Sequence, residues 1–437
     1  MRATFVHTAD NHLGYEQYGV RERYDDFARA FISVVEGAIA RHADFFVVAG
    51  DLFNKRAIDA RTLTQANEGL RMLQDAGIIA IGIEGNHDRS YYRDGMSWLQ
   101  YLSYQGLLRL LNPSLKDGAP VMAEWSRESL TGLYTTLKGG KLRIYGLPWY
   151  GSSTARVMAG FAETLTAARA QEEAEGVEYR ALLMHTGVEG ILPQLQGLPT
   201  RAEFEPLRGL VDYVALGHVH KPYAIDNWLF NPGSTETWGA EESAWEDRGY
   251  YAVAVDTDVA EGEPRHHAEH VTNPRRPFVR LGFRVDGLND PSAFYESFER
   301  RVEQGAREHR DALGRKPVVD VSMTGVWSFD SAAIERARLE EIVRERFQPL
   351  VARIHDSARA NAWDVDDDDP TGATHDDRVA LELRVFEELV ARDARYTAQA
   401  PSWAATLAQL KRMALDNEEP EQIATVLRAA RARLGAS

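Results

Sequence analysis

The stretch Ile78-Ile79-Ala80-Ile81-Gly82-Ile83-Glu84-Gly85-Asn86-His87-Asp88 sets an unbroken apolar run directly against a turn of glycine, amide, imidazole and carboxylate. A short apolar run bounded by turn residues reads as a strand buried on both faces. Four further runs have the same form. Ala3 to Val6 leads to Asp10-Asn11-His12, Phe45 to Ala49 to Gly50-Asp51, Ala181 to Met184 to His185, and Tyr213 to Leu216 to Gly217-His218-Val219-His220. Between the first two, Val20, Tyr24, Phe27, Phe31, Val34, Ala38 and Ile39 recur at spacings that make one face of a helix. A second helix is expected over Arg61 to Gln74, and further strands at Leu142 to Tyr145 and Tyr250 to Val255. Strands alternating with helices predict an α/β sheet covered on both sides, with ligands at the carboxyl ends of its strands. A lone Asp-x-His or His-x-His pair occurs by chance. Five such turns, each at a strand exit, argue that distant segments converge on one site.

Asp, Asn and His without sulfur suit Mn²⁺ or Fe²⁺ better than structural zinc. The chain has no cysteine, which excludes a disulfide framework, a thiol nucleophile and any Cys-ligated metal. Two cations about 3.5 to 4 Å apart neutralise a phosphodiester and ionise a bridging water, and a carboxylate shared between them is the natural bridge. Gly50, Gly85 and Gly217 permit tight turns that bring backbone and ligand close together.

The first domain is expected to span residues 1–275. After Pro274 and Pro277 a smaller pattern restarts, with strands at Phe278 to Val285 and Val318 to Val326 and helices at Pro291 to Arg310 and Ser331 to Phe347, giving a second domain over 276–350. The acidic run around Asp366 to Asp369 places a linker at 351–377. Residues 378–437 carry helical stripes, Leu383, Phe386, Leu389 and Val390, then Trp403, Leu407, Leu410 and Met413, which are expected to bury on a partner or back on the same chain. His266, His267 and His270 read as part of a solvated loop, and His7 as a core residue or one behind the ligands.

Together, Asp10-x-His12, Gly50-Asp51, Gly85-Asn86-His87-Asp88, His185 and Gly217-His218-x-His220 resemble the calcineurin-type metallophosphoesterases. The strings HTADNHLGYEQYG, VVAGDLFNK, IEGNHDR and ALGHVHKP, with NPGSTE at 231–236, are similar to the meiotic recombination eleven/SbcD family of repair nucleases over residues 4–236. The resemblance implies a β-sandwich flanked by helices, a small α+β capping domain and a C-terminal helical segment that binds a partner. It implies two Mn²⁺ per subunit, one held by Asp10, His12, Asp51 and His220 and the other by Asp51, Asn86, His185 and His218, with Asp51 bridging. His87 would face the scissile phosphate and protonate the leaving oxygen, with Asp88 orienting its ring. Where the family often has a histidine three residues after the bridging Asp, this chain has Asn54, which donates to phosphate but shuttles no proton. Arg89, Arg275 and Arg276 are candidate phosphate contacts, with Arg280 and Arg284 as further ones. Leu63, Leu99 and Leu102 are candidates for pairing two subunits, the alternative being a helix face packed on the sheet. The implied activity is 3′–5′ exonuclease action on duplex DNA and endonuclease action on single strands, with an SMC-like ABC ATPase of the Rad-fifty type as partner.

The formal charge is −16, and the 7 lysines leave 43 arginines among the 50 basic residues. A Lys-poor acidic chain fits a salt-loaded cytoplasm of a halophile or a GC-rich genome. At high salt the counterion term that demands basic patches is small, so this charge does not exclude a nucleic-acid partner. No apolar run reaches the length of a membrane span and the N-terminus lacks signal-peptide features, so a cytoplasmic location is expected. Two other functions stay open: a phosphodiesterase or phosphatase for nucleotides or phosphoproteins, and a DNA-end-binding scaffold that has lost hydrolysis.

Overall fold

A computed structural model describes residues 1–90, 95–245, 247–359, 383–387, 389–391, 396–415 and 420–434. Two six-stranded sheets form the first domain. The first contains β1 (Arg2–Thr8), β2 (Phe45–Val48), β3 (Ile79–Gly82), β4 (Arg109–Leu110), β13 (Gly249–Asp256) and β14 (His266–Thr272), in the order β14-β13-β1-β2-β3-β4. The second contains β7 (Tyr134–Leu137), β8 (Leu142–Leu147), β9 (Tyr179–His185), β10 (Tyr213–Gly217), β11 (Tyr223–Ile225) and β12 (Leu229–Asn231), in the order β11-β12-β10-β9-β8-β7. A small hairpin, β5 (Leu115–Lys116) and β6 (Ala119–Pro120), lies between them in sequence. The five chemistry-bearing runs therefore divide between two sheets, three in the first and two in the second.

The unbroken apolar runs have a direct cause. Phe5, Phe45, Val47 and Ile81 of the first sheet pack against Tyr179, Ala181, Leu183, Tyr213 and Ala215 of the second. The opposite sides of the same strands, Val6, Phe46 and Val48, are covered by α1 (Arg21–Ala40), α2 (Ala60–Asp75) and α3 (Trp98–Tyr104). Leu182, Met184, Val214 and Leu216 are covered by Val157, Met158, Phe161 and Leu165 of α4 (Thr154–Ala174). Each strand is buried on both faces, which leaves no solvent side to impose alternation. Parallel pairing of β1 with β2, of β2 with β3, and of β9 with β10, puts their carboxyl ends together within each sheet.

Leu99 and Leu102 are 1% and 0% exposed in the core beneath α3, and Leu63 is half-buried against the same core. The dimer-interface reading is corrected for Leu99 and Leu102, which form the helix face packed on the sheet, whereas Leu63 of α2 keeps part of its side chain exposed. The triple His266, His267 and His270 lies on β14, not on a solvated loop. His266 is buried against the hydroxyl of Tyr179 at 2.8 Å and the carbonyl of Asn227 at 3.0 Å. His7 is a core residue, bonded to the Tyr213 hydroxyl and the Leu216 carbonyl at 2.9 and 3.0 Å.

The second domain is also revised. Its strands β15 (Phe278–Arg284), β16 (Val318–Thr324) and β17 (Val351–Asp356) are all parallel, with α6 (Pro291–Glu308) and α7 (Arg336–Phe347) as crossovers, so it is α/β rather than α+β. Strand β17 carries it past residue 350. A short helix, α5 (Arg201–Phe204), sits in the first domain. Arg276 ties the two domains: its guanidinium grips buried Asp26 of α1 at 2.6 and 2.9 Å, and Asp26 also accepts from fully buried Arg23. Most of the expected linker, residues 360–377, lies outside the described residues. The chain beyond 360 forms a separate compact unit. It contains α8 (Ala400–Leu415) and α9 (Pro420–Leu434), with Ala404, Ala408 and Ala430 buried and Val385, Leu389 and Leu427 left 45–51% exposed.

Candidate metal centre

All seven expected ligands meet at one end of the sandwich. Asp10, His12, Asp51 and His218 sit in the left-handed backbone region at φ 51°, 49°, 51° and 85°. Such conformations cost non-glycine residues of order 1–3 kcal/mol each and persist where the surroundings enforce them. Here the enforcement is visible: Asn11 and His12 both donate their backbone N–H to the Asp51 carbonyl, at 2.9 and 3.1 Å. Backbone N–H of His218 donates to both carboxylate oxygens of Asp10, at 3.0 and 2.9 Å. Strand ends from different sheets are thereby stitched together.

The donor atoms stand at the mutual distances expected of neighbouring ligands. Nε2 of His12 and Nε2 of His220 are 3.0 Å apart. Oδ1 of Asn86 lies 3.1 Å from His185 Nε2 and 3.0 Å from His218 Nδ1, and Asp51 Oδ2 lies 3.3 Å from His185 Nε2. Asp10, His12 and His220 form one group of converging donors, Asp10, Asp51 and His185 a second, and His12, Asp51 and His87 a third. Separations near 3 Å match adjacent ligands around an ion bonded at about 2.1 Å. The electrostatics also favour a cation. Burial disfavours a charged His185, yet the Asp51 and Asp10 carboxylates outweigh it and raise this imidazole to about 9. Burial pushes Asp10 up to about 6, whereas His185, His12 and His87 overcome burial at Asp51 and hold it well below the usual carboxylate range. Burial holds His218 neutral, down at about 3, and His12 well below its ordinary value. The residues fit a divalent metal centre.

Behind the ligands are residues the sequence did not flag. Nδ1 of His185 donates to the Ala49 carbonyl at 2.8 Å. Nδ1 of His220 meets Glu242 at 2.6 Å, and Glu242 is itself held by Arg248 and by the backbone N–H of Trp238, both at 3.0 Å. Such outer partners fix ring orientation and ligand basicity. Glu242 lies in no motif next to a strand end, so only the fold reveals it. The run 231–236 props the ligand loop from beneath: the Asn231 amide donates to the Lys221 carbonyl at 2.9 Å and also to the Val219 carbonyl.

Asp88 does not orient the ring of His87. Its carboxylate accepts from the backbone N–H of Leu52, Phe53 and Gly85, at 3.3, 3.0 and 3.0 Å, so it fastens the Asp51 turn to the Asn86 turn. Burial and the nearby Asp51 charge push it up to about 7. The partner of His87 is instead the Asn54 carbonyl, 2.7 Å from Nδ1. Arg275 and Arg276 are not turned to the cleft either. Arg275 donates to Thr237 Oγ1 at 2.8 Å and Arg276 is the interdomain strut described above, so their assignment to phosphate is corrected. Arg89 lies over the Trp149 ring at 5.6 Å.

A Cβ on Gly85 would lie 2.1 Å from Asp51 Oδ1, and one on Gly50 2.3 Å from His185 Nδ1. Gly85→Ala is therefore expected to displace the Asp51 carboxylate, lowering metal affinity and hydrolysis by at least about tenfold for each 1.4 kcal/mol of displacement cost. Circular dichroism should stay unchanged, and full activity in this variant would contradict the placement of Asp51.

The sandwich and its ring of donors define a calcineurin-like phosphoesterase. The family model of that description matches residues 3–222, and the chain belongs to this family of metal-dependent phosphodiester hydrolases. Over 348 residues the chain is 45% identical to the DNA double-strand break repair protein Mre11 of Archaeoglobus fulgidus, covering 78% of this chain and 72% of that protein. The Mre11 of Aeropyrum pernix is 45% identical over 72% of each chain, and that of Haloferax volcanii 30% identical over 87% of this chain and 73% of its own. Within the phosphoesterases, the chain is a member of the Mre11 family.

Proposed function

We propose that this protein is a Mn²⁺-dependent nuclease of DNA double-strand-break repair, with 3′–5′ exonuclease action on duplex ends and endonuclease action on single strands, working in the cytoplasm beside an SMC-like ABC ATPase of the Rad-fifty type. The observation that carries the reading is the meeting of seven nitrogen and oxygen donors next to His87. His87 and Asn86 line an open cleft of about 580 Å³ together with Asn54, Lys55, Arg56, Ala57 and Trp238. The names of the relatives supply the substrate class.

Asp10, His12, Asp51 and His220 would hold one ion, and Asp51, Asn86, His185 and His218 the other. Such ions supply positive charge against the phosphodiester and make water a nucleophile at neutral pH. His87 donates its Nδ1–H to the Asn54 carbonyl, since a carbonyl only accepts, so the proton for the leaving oxygen would be the second one, carried on Nε2 by the imidazolium form of the ring. Lys55 on the cleft wall adds positive charge for a polyanionic strand. Pairing of two copies belongs to the same proposal. Its surface is assigned to the outer side of α2 and α3, where Tyr104 at the end of α3 is 61% exposed and Met96, just ahead of that helix, 49% exposed.

The test is end-labelled duplex DNA incubated with purified protein and Mn²⁺. Shortening of the labelled strand is expected, whereas intact DNA with turnover of a small phosphodiester would replace this reading by that of a small-substrate phosphodiesterase. The C-terminal unit is assigned to the ATPase, on the strength of its exposed Val385, Leu389 and Leu427. Deleting residues 378–437 is expected to leave hydrolysis within about twofold while abolishing co-purification with the ATPase, at the order of magnitude expected when an apolar docking stripe is removed. Unchanged co-purification would refute that assignment.

A further inference from the structure

Asn54 is 6% exposed and lines the cleft beside His87 and Trp238. Its backbone is pinned on both sides: its N–H donates to the Leu13 carbonyl at 3.0 Å, and its carbonyl accepts from His87 Nδ1 at 2.7 Å. The side chain meets the indole Nε1 of Trp238 at 3.1 Å. An indole N–H only donates, so the amide atom facing it is the oxygen. That settles the direction of an amide whose two ends otherwise look alike. The NH₂ end points the other way, and among the described residues nothing accepts from it.

Trp238 is in turn held firmly. Its backbone N–H donates to Glu242 at 3.0 Å and its carbonyl accepts from buried Gln17 at 2.7 Å. Its ring stacks on Tyr15 at 5.4 Å and 27°, with the rings of His220 and His12 at 5.5 and 6.0 Å. The tryptophan is thus registered against the metal ligands and against the amide at once.

We infer that Trp238 is a positioning residue, which locks the Asn54 amide so that its Nδ2 donates to a non-bridging oxygen of the scissile phosphate alongside His87. The residue three places after the bridging aspartate then serves as an oriented donor, with no proton to transfer. The inference deepens the proposed reading at the phosphate, and requires a phosphodiester substrate but not DNA in particular.

The experiment compares Asn54→Asp, Asn54→Ala, Trp238→Phe and the Trp238→Phe/Asn54→Ala pair in the full chain with Mn²⁺. The substrates are end-labelled duplex DNA and bis(p-nitrophenyl) phosphate. Asn54→Asp keeps the acceptor for the indole but turns a negative oxygen toward the phosphate. It should lower kcat/KM about 100-fold, further than the roughly tenfold loss for Asn54→Ala, in line with hydrogen bonds to charged groups. Trp238→Phe keeps an aromatic ring but removes the N–H together with part of the indole, so about a threefold to tenfold loss is expected, and the pair should be no worse than Asn54→Ala alone, because the indole acts through the amide. Calorimetric Mn²⁺ binding should be unchanged in Asn54→Ala and Trp238→Phe. A purely structural bond predicts the reverse order, with Asn54→Asp near wild type, and that order or additive losses in the pair would overturn the inference. Wild-type protein that turns over the small diester and spares DNA, with the predicted order intact, would sink the DNA reading alone.

Discussion

Asp51→Ala is expected to abolish metal binding and hydrolysis together. The carboxylate is 2% exposed, lies 3.3 Å from His185, and accepts the backbone N–H of His87 at 2.9 Å. Its removal takes away the charge that raises His185 and offsets the cations, and it frees the turn that carries His87. Loss of several kcal/mol of charge stabilisation corresponds to a fall of about 10³-fold or more in rate. Asp51→Asn keeps the shape and removes the charge, so it separates electrostatics from packing. Titration calorimetry with Mn²⁺, run beside the activity assay, checks both halves. An Asp51→Ala protein that still binds metal at wild-type affinity would show that this carboxylate does not join the two halves of the site.

His87→Ala is expected to lower hydrolysis by about 10²- to 10⁴-fold, the usual range for a positioned general acid, while leaving Mn²⁺ binding intact. The contrast with Asp51→Ala follows from geometry. The imidazole of His87 bonds through Nδ1 to a backbone carbonyl, as that of His185 does, but Nε2 of His185 meets Asn86 at 3.1 Å and Nε2 of His12 meets His220 at 3.0 Å, the pairing expected of neighbouring ligands. Its ring stands edge-on to His12 at 5.1 Å, within reach of the ligand ring, so the alternative of a direct ligand is a definite one. Equal metal loss in both variants would place His87 among the ligands and leave the leaving oxygen without its proton donor.

The site was more legible in the sequence than the fold around it. Five apolar runs ending in Asp, Asn or His announced the cluster of donor side chains, because a doubly buried strand must be apolar throughout and its exit turn is then free for chemistry. The same uniformity hid the sheet partners, since Ala181 to Met184 and Phe45 to Ala49 read alike yet belong to different sheets. Helix α4 has Val157, Phe161 and Leu165 at four-residue spacing, a signal the sequence reading did not use. Strand β17 was missed because Arg353, His355 and Asp356 break its apolar pattern, although Ile354 reaches the core. The stripe of Leu99 and Leu102 showed that a face is buried without showing what buries it. For Asp88, nearness in sequence suggested a bond to His87, but its real partners are amides from two separate turns. Arg276 read as a phosphate contact because its ion-pair partner, Asp26, lies 250 positions away in sequence.

The central claim is that two divalent ions share Asp51 inside a ring of seven side chains. Crystals soaked in MnCl₂ and measured across the manganese absorption edge test it directly. Two anomalous peaks are predicted about 3.5 to 4 Å apart, one touching Asp10, His12 and His220, the other Asn86, His185 and His218, with Asp51 on both. No peak, or a single ion bound by fewer than half of these residues, would contradict it.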